Sequence, residues 1–181
     1  MRRLLVAVAV AGSLVATSVY AEEGTDTEKV HVVGQTDDAP LNAIGVQLHS
    51  GLGLSPTGYT AGVAIKYERA FSDMVSLAIQ PGLQFATGAT AFGVDLDLRF
   101  HIVGESLNGL YIGPTAGFWL YSAGGIAPGF DAGAIIGYSY LINNMVQIGI
   151  GVGFTYNAII LPTGLAGNPT IPIRAGVSFA F

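Results

Sequence analysis

Asp95 and Asp97 stand two residues apart in "FGVDLDLRFHI", and Arg99 follows at the same interval. Two carboxylates so close could do acid–base work, one holding a proton that the other has released. The spacing also has a structural use. Residues i and i+2 of a β-strand share a face, so each acid can pair with a cation on the same side. Lys66 and Glu68 repeat the interval, and Arg174 adds a third cation. His49 and Ser50 put a base beside a hydroxyl, but neighbours on a strand point to opposite faces, so they form no dyad. His49 and His101 with scattered acids fall short of the converging ligand set that a metal needs. The glycines of "GIGVG" (Gly149–Gly153) and "GLG" (Gly51–Gly53) precede no helix and so are not phosphate loops. They are expected to make room for bulky neighbours such as Trp119 and Tyr121. No catalytic residue, cofactor site or metal site is expected.

The elements that carry these residues are strands. From Leu41 onward apolar residues recur with a period of two, in eight segments: Ala43–Leu54, Tyr59–Phe71, Met74–Ala86, Ala91–Val103, Leu110–Tyr121, Phe130–Tyr140, Met145–Tyr156 and Thr170–Phe181. Each reaches the ~9–11 residues that a tilted strand needs to cross a bilayer. Turn signals separate them, from "SPTG" at Ser55 to "PTGLAGNP" at Pro162. The connectors after the fifth and seventh segments are expected to be the longer loops, with Ala158–Asn168 an apolar loop. Pro81, Pro114 and Pro172 fall inside strands, where each removes a ladder hydrogen bond, and bulges are expected there.

Composition agrees with a membrane-embedded sheet. Half of the 181 residues are hydrophobic and a tenth are charged, against about a quarter charged in soluble domains. High hydropathy without long apolar runs fits a barrel whose lipid-facing and lumen-facing residues alternate. The aliphatic positions fix the faces. Phe92, Val94, Leu96, Leu98, Phe100 and Ile102 share one, and Lys66, Glu68, Asp95, Asp97, Arg99, Asp131 and Arg174 fall on the other. Only Arg69 falls on the apolar side, near a strand end where that is cheap. Tyr59, Phe85, Phe92, Phe118, Phe130 and Phe154 gather toward one end of the apolar faces. Phe71, Phe100, Tyr138, Tyr140, Phe179 and Phe181 gather toward the other. Two aromatic belts around an aliphatic band mark membrane interfaces. A soluble barrel would have its apolar faces inside and its charges outside.

Residues 1–21 read as a secretory signal peptide: Arg2 and Arg3, an apolar run from Leu4, then "SVYA" with small residues before the cut. Its removal leaves five basic residues against twelve acidic ones, which argues against a nucleic-acid partner. Residues 22–40 hold six acids and one lysine and read as a mostly disordered periplasmic segment. Residues 41–181 form the barrel. Without cysteine, disulfides are excluded.

Eight alternating segments, paired aromatic belts and the terminal "VSFAF" resemble the small outer-membrane proteins of Gram-negative bacteria, the OmpA/OmpX-like barrels. The resemblance implies an all-β, eight-stranded antiparallel up-and-down transmembrane barrel in the outer membrane. It also implies a monomer in contact with outer-membrane lipid and lipopolysaccharide. Periplasmic chaperones and the barrel-assembly machinery would act during biogenesis, with Phe179 and Phe181 as the assembly signal. Eight strands leave a lumen that side chains can fill, so Lys66, Glu68, Asp95, Asp97, Arg99 and Arg174 are expected to form a paired lumen network. The leading expectation is a structural barrel without enzymatic activity. The alternatives are a narrow or gated porin-like channel and a lipid-modifying enzyme.

Overall fold

The computed structural model describes residues 40–55, 57–105, 107–122 and 125–181. The expected signal peptide and all of the acidic segment except Pro40 lie outside the described residues. Eight strands follow one another: β1 (Asn42–Leu54), β2 (Thr57–Ser72), β3 (Val75–Ala86), β4 (Ala89–Glu105), β5 (Asn108–Ser122), β6 (Ile126–Ile142), β7 (Val146–Leu161) and β8 (Gly164–Ala180). Each pairs antiparallel with the next, and β8 closes on β1. The closed, up-and-down barrel expected from the period-two pattern is therefore present.

Its stagger can be followed residue by residue. Ala43 pairs with Glu68, then Ala78, Asp97, Thr115, Gly133, Thr155 and Thr170 follow in turn, and Thr170 pairs with Gly53. One circuit returns to β1 ten residues further along. With strands ~4.8 Å apart and a rise of ~3.3 Å per residue, that stagger tilts the strands by about 40°. All nine of these residues face inward, so the circuit also confirms that one parity holds round the barrel.

The outward face is a band of aliphatics that includes Val46, Ile65, Leu83, Leu96, Ile136, Ile150 and Val177, all exposed to the surroundings. Tyr59, Phe85, Phe92, Phe118, Phe130 and Phe154 are exposed toward one rim. Phe71, Tyr138, Tyr140, Phe179 and Phe181 are exposed toward the other. Charged and amide side chains fill the interior, the reverse of a soluble barrel. Arg69 is exposed at the end of β2, where its Nη1 donates to Asn42 Oδ1 at 3.2 Å and Tyr67 Oη donates to the same oxygen at 2.8 Å.

Two expectations fail. Ala158–Asn168 is not a loop. β7 and β8 continue their ladder through Ala158↔Gly167 to Leu161↔Gly164 and turn at Pro162 and Thr163. The run "AIIL" hides its strand because its outermost residues are apolar on both faces. Likewise β6 starts at Ile126 rather than Phe130, pairing with Ser122. Nor do the prolines make bulges. At Pro81 the ladder with β2 passes from Ala64↔Gly82 to Tyr67↔Ile79 in unchanged register. At Pro114 the β4 ladder passes from Asp97↔Thr115 to Phe100↔Ile112, and at Pro172 the β7 ladder from Val152↔Ile173 to Thr155↔Thr170. Each proline lacks an N–H toward one neighbour and keeps its pairing with the other. The register shifts lie instead at Ala70/Ser72 and His101/Val103, both at the same rim.

Candidate functional site: a charge-filled lumen beneath an outer cup

Alternation along β2, β4 and β8 turns Lys66, Glu68, Asp95, Asp97, Arg99 and Arg174 inward, and the ten-residue stagger sets which of them meet. Glu68 Oε2 accepts from Lys66 Nζ at 3.0 Å and Arg99 Nη1 at 2.9 Å. Arg99 Nη2 donates to Asp97 Oδ2 at 3.1 Å. Arg174 Nη1 donates to both Asp97 oxygens, at 2.6 and 2.7 Å, and its Nη2 donates to Asp95 Oδ2 at 3.0 Å. The six charges thus form one unbroken series, Lys66–Glu68–Arg99–Asp97–Arg174–Asp95, and all six are buried.

Neutral groups add further hydrogen bonds to the series, although Arg99 Nε and Arg174 Nε stay buried without a partner among the described residues. Ser76 Oγ donates to Glu68 Oε1 at 2.8 Å, so it accepts from His101 Nε2–H at 3.1 Å. Gln80 Nε2 donates to Asp97 Oδ2 at 2.6 Å, and Trp119 Nε1 to Asp95 Oδ1 at 2.9 Å. The Arg99 guanidinium lies 4.5 Å from the centre of the Tyr111 ring, a cation–π contact. Around Lys66, Arg99, Tyr111 and Arg174 the remaining cavity is about 10 Å³, no more than a single water occupies.

The glycines do make room, though for other neighbours than expected. A Cβ at Gly137 or Gly151 would crowd the Tyr111 side chain, and one at Gly93 or Gly117 would crowd Trp119. Tyr121 is accommodated by Gly129 rather than by "GIGVG" or "GLG".

The rim where β1 begins and β8 ends, termed the inner rim with the opposite one the outer, has a seal that the sequence reading missed. Leu107, in the β4–β5 turn, has φ +68° and is fully buried, packed among Ala43, Ala70 and Ala180 with Leu141 beside them. Its carbonyl accepts from Gln147 Nε2 at 2.8 Å, and Gln147 Oε1 accepts from Lys66 Nζ at 2.5 Å. The apolar stopper is therefore tied directly to the charge series. One signal was available: a leucine inside the otherwise polar turn "GESLNG".

The outer end is open. There lies a cup of about 470 Å³. His49, Asp95, Asp131 and Arg174 contribute to its floor, and Thr60, Gln84, Tyr121, Asn157 and Thr170 line it. His49 Nδ1 lies 3.6 Å from Asp95 Oδ2. His49 is buried whereas Ser50, on the opposite face, is not, so the two do not act together. Among the described residues no three His, Asp or Glu side chains are placed to hold a metal ion.

The chain matches no protein-family model and no curated protein. Among solved structures it is similar to Neisserial surface protein A, with 15% identity over 77% of this chain and 97% of that one and a TM-score of 0.57. A de novo designed transmembrane β-barrel gives 16% identity over 78% and 97%, at a TM-score of 0.42. Outer membrane protein AlkL gives 12% identity over 87% and 97%, also at 0.42. The first of these likenesses establishes the fold. With its outward aliphatic band and aromatic rims, the molecule is a small eight-stranded transmembrane β-barrel.

Proposed function

We propose that this chain is an integral outer-membrane barrel whose interior is a structural plug, neither conducting nor catalytic. The observation that carries the reading is the series from Lys66 to Asp95, which crosses the lumen and leaves a cavity of only about 10 Å³ beside Lys66, Arg99 and Arg174, beneath the open cup. A water-filled channel lined by the same charges would leave them apart and hydrated. A hydrolase would need a nucleophile beside its base, and His49 instead faces Asp95. Placement in the outer membrane rests on the resemblance to OmpA/OmpX-like barrels and on the aromatic rims around an aliphatic band.

Phe179 and Phe181 fit the assembly role that the resemblance implies. Their rings stack on the outer face with centroids 6.4 Å apart. Phe181 exchanges backbone hydrogen bonds with Asn42 at 2.8 and 2.9 Å, on the seam where the barrel closes. The test of the functional reading is ion conductance of the folded protein in a planar bilayer. A plug gives no steady current. A large, stable conductance would overturn the reading in favour of a channel.

A further inference from the structure

The barrel interior holds four carboxylates, Glu68, Asp95, Asp97 and Asp131, and three fixed cations, Lys66, Arg99 and Arg174. The ion pairs consume three of the four acids. Asp131 is left. It is only 8% exposed and makes no ion pair among the described residues; Trp119 N–H, shared with Asp95, is its nearest donor, and Arg174 acts on it only from a distance. A buried carboxylate without a counter-charge is costly. Asp131 is also the acid that lines the outer cup without belonging to the charge series.

Its surroundings are shaped for a cation. Asp131 and Asp95 approach one point from either side of β5, above Gly117, where any Cβ would collide with both carboxylates. Opposite Asp131 on the β6–β7 ladder stands Asn157. Its Nδ2 donates to Thr170 Oγ1 at 2.7 Å, which leaves its carbonyl oxygen as an acceptor. Tyr121 supplies an aromatic wall to the same cup, and aromatic faces attract cations. The cup therefore offers a negative charge, a neutral acceptor and a π-face. The cations beneath it are already committed to carboxylates.

We propose that the outer cup is a binding site for a small primary ammonium compound, whose charged head sits at Asp131 and completes the charge balance of the lumen. The cup's volume accommodates the head and a short alkyl or hydroxylated tail, and its mouth opens at the outer rim. The site is independent of whether the barrel conducts.

The test uses the folded protein in a non-ionic detergent at constant ionic strength, titrated with n-butylammonium. Two readouts are followed: heat of binding, and the fluorescence of Trp119, the chain's single tryptophan, whose N–H contacts Asp95. Saturable binding is expected, with n-butanol inert. Asp131→Asn removes the charge while keeping the shape, and breaks no ion pair, so it should fold. It should weaken butylammonium binding about tenfold or more, as expected when a charge-assisted hydrogen bond becomes a neutral one. Ile65→Val, on the outward aliphatic face and away from the cup, should leave it unchanged. The proposal is overturned if neither readout saturates at neutral or alkaline pH, since a proton held between Asp95 and Asp131 then supplies the balance. It is overturned equally if butanol binds as well, or if Asp131→Asn binds unchanged.

Discussion

Arg174 Nη1 sits 2.6 Å from one Asp97 oxygen and 2.7 Å from the other, and the two residues belong to β8 and β4. In a ring of eight strands those two lie on opposite walls, so this pair spans the lumen at its full width. Arg174 is 3% exposed at its side chain and Asp97 not at all. Removing one member of a buried pair strands the other, at a cost of about 3–5 kcal/mol. Arg174→Met should therefore lower unfolding stability in detergent by that amount. Arg174→Met combined with Asp97→Asn should cost less than the sum of the two single changes, because the second change removes a charge that has already lost its two closest bonds and keeps only Arg99. Strict additivity in urea titrations would mean that the pair is not coupled.

Arg99 bridges two carboxylates, Glu68 at 2.9 Å and Asp97 at 3.1 Å. Arg99→Gln leaves an excess of negative charge at mid-lumen. Single-channel recording should then show brief openings where the native protein is silent, with cations carrying the current. Leu107→Ala should behave differently. It removes an apolar side chain packed at the inner rim, which costs about 2–5 kcal/mol, but the charge series above it still spans the lumen. It should lower stability without producing current. A current from Leu107→Ala alone would make the stopper, not the network, the barrier.

The two faces of the barrel should respond oppositely to a new charge. Leu96 points outward from the middle of β4 and is 44% exposed on the aliphatic band. Leu96→Arg puts a cation at the lipid midplane, at a cost of about 2–4 kcal/mol. Gln84 lines the open cup, where Gln84→Arg keeps its charge hydrated. Recovery of folded protein from membranes should fall sharply for the first variant and little for the second. Equal losses would contradict the observed facing of β3 and β4.

Much of this was legible because a barrel strand encodes its faces with a strict period of two. Asp95, Asp97 and Arg99 alternate with Leu96 and Leu98, and that alone turns all three inward. The partners were less legible. Arg174 meets Asp97 only because the ladder climbs ten residues per circuit, a property of all eight registers together. The prolines misled for a related reason. A missing N–H interrupts one ladder, but the strand keeps its register through the other neighbour, as Pro114 does through Ala134. Leu107 was hidden by its place in a turn, where periodicity carries no information. Asp131 was read as inward-facing, but that it makes no ion pair among the described residues emerges only after every other ion pair has been assigned.

The seam between β1 and β8 carries the last prediction. Phe181 N–H donates to Asn42 O at 2.8 Å, and Asn42 N–H donates to Phe181 O at 2.9 Å. Phe181→Ala preserves both of these backbone bonds and removes only the outward ring and its stacking on Phe179. Folding into detergent should be nearly unchanged, because one exposed aromatic contact is a small share of the closing energy of eight ladders. If the ring is also the mark read during assembly, the amount inserted in cells should fall several-fold, and Phe181→Tyr should restore much of it. The measurement is heat-modifiable mobility of the membrane fraction set beside refolding yield in vitro. Equal effects in the two assays would leave Phe181 an ordinary member of the aromatic belt, with its contribution confined to the folded barrel.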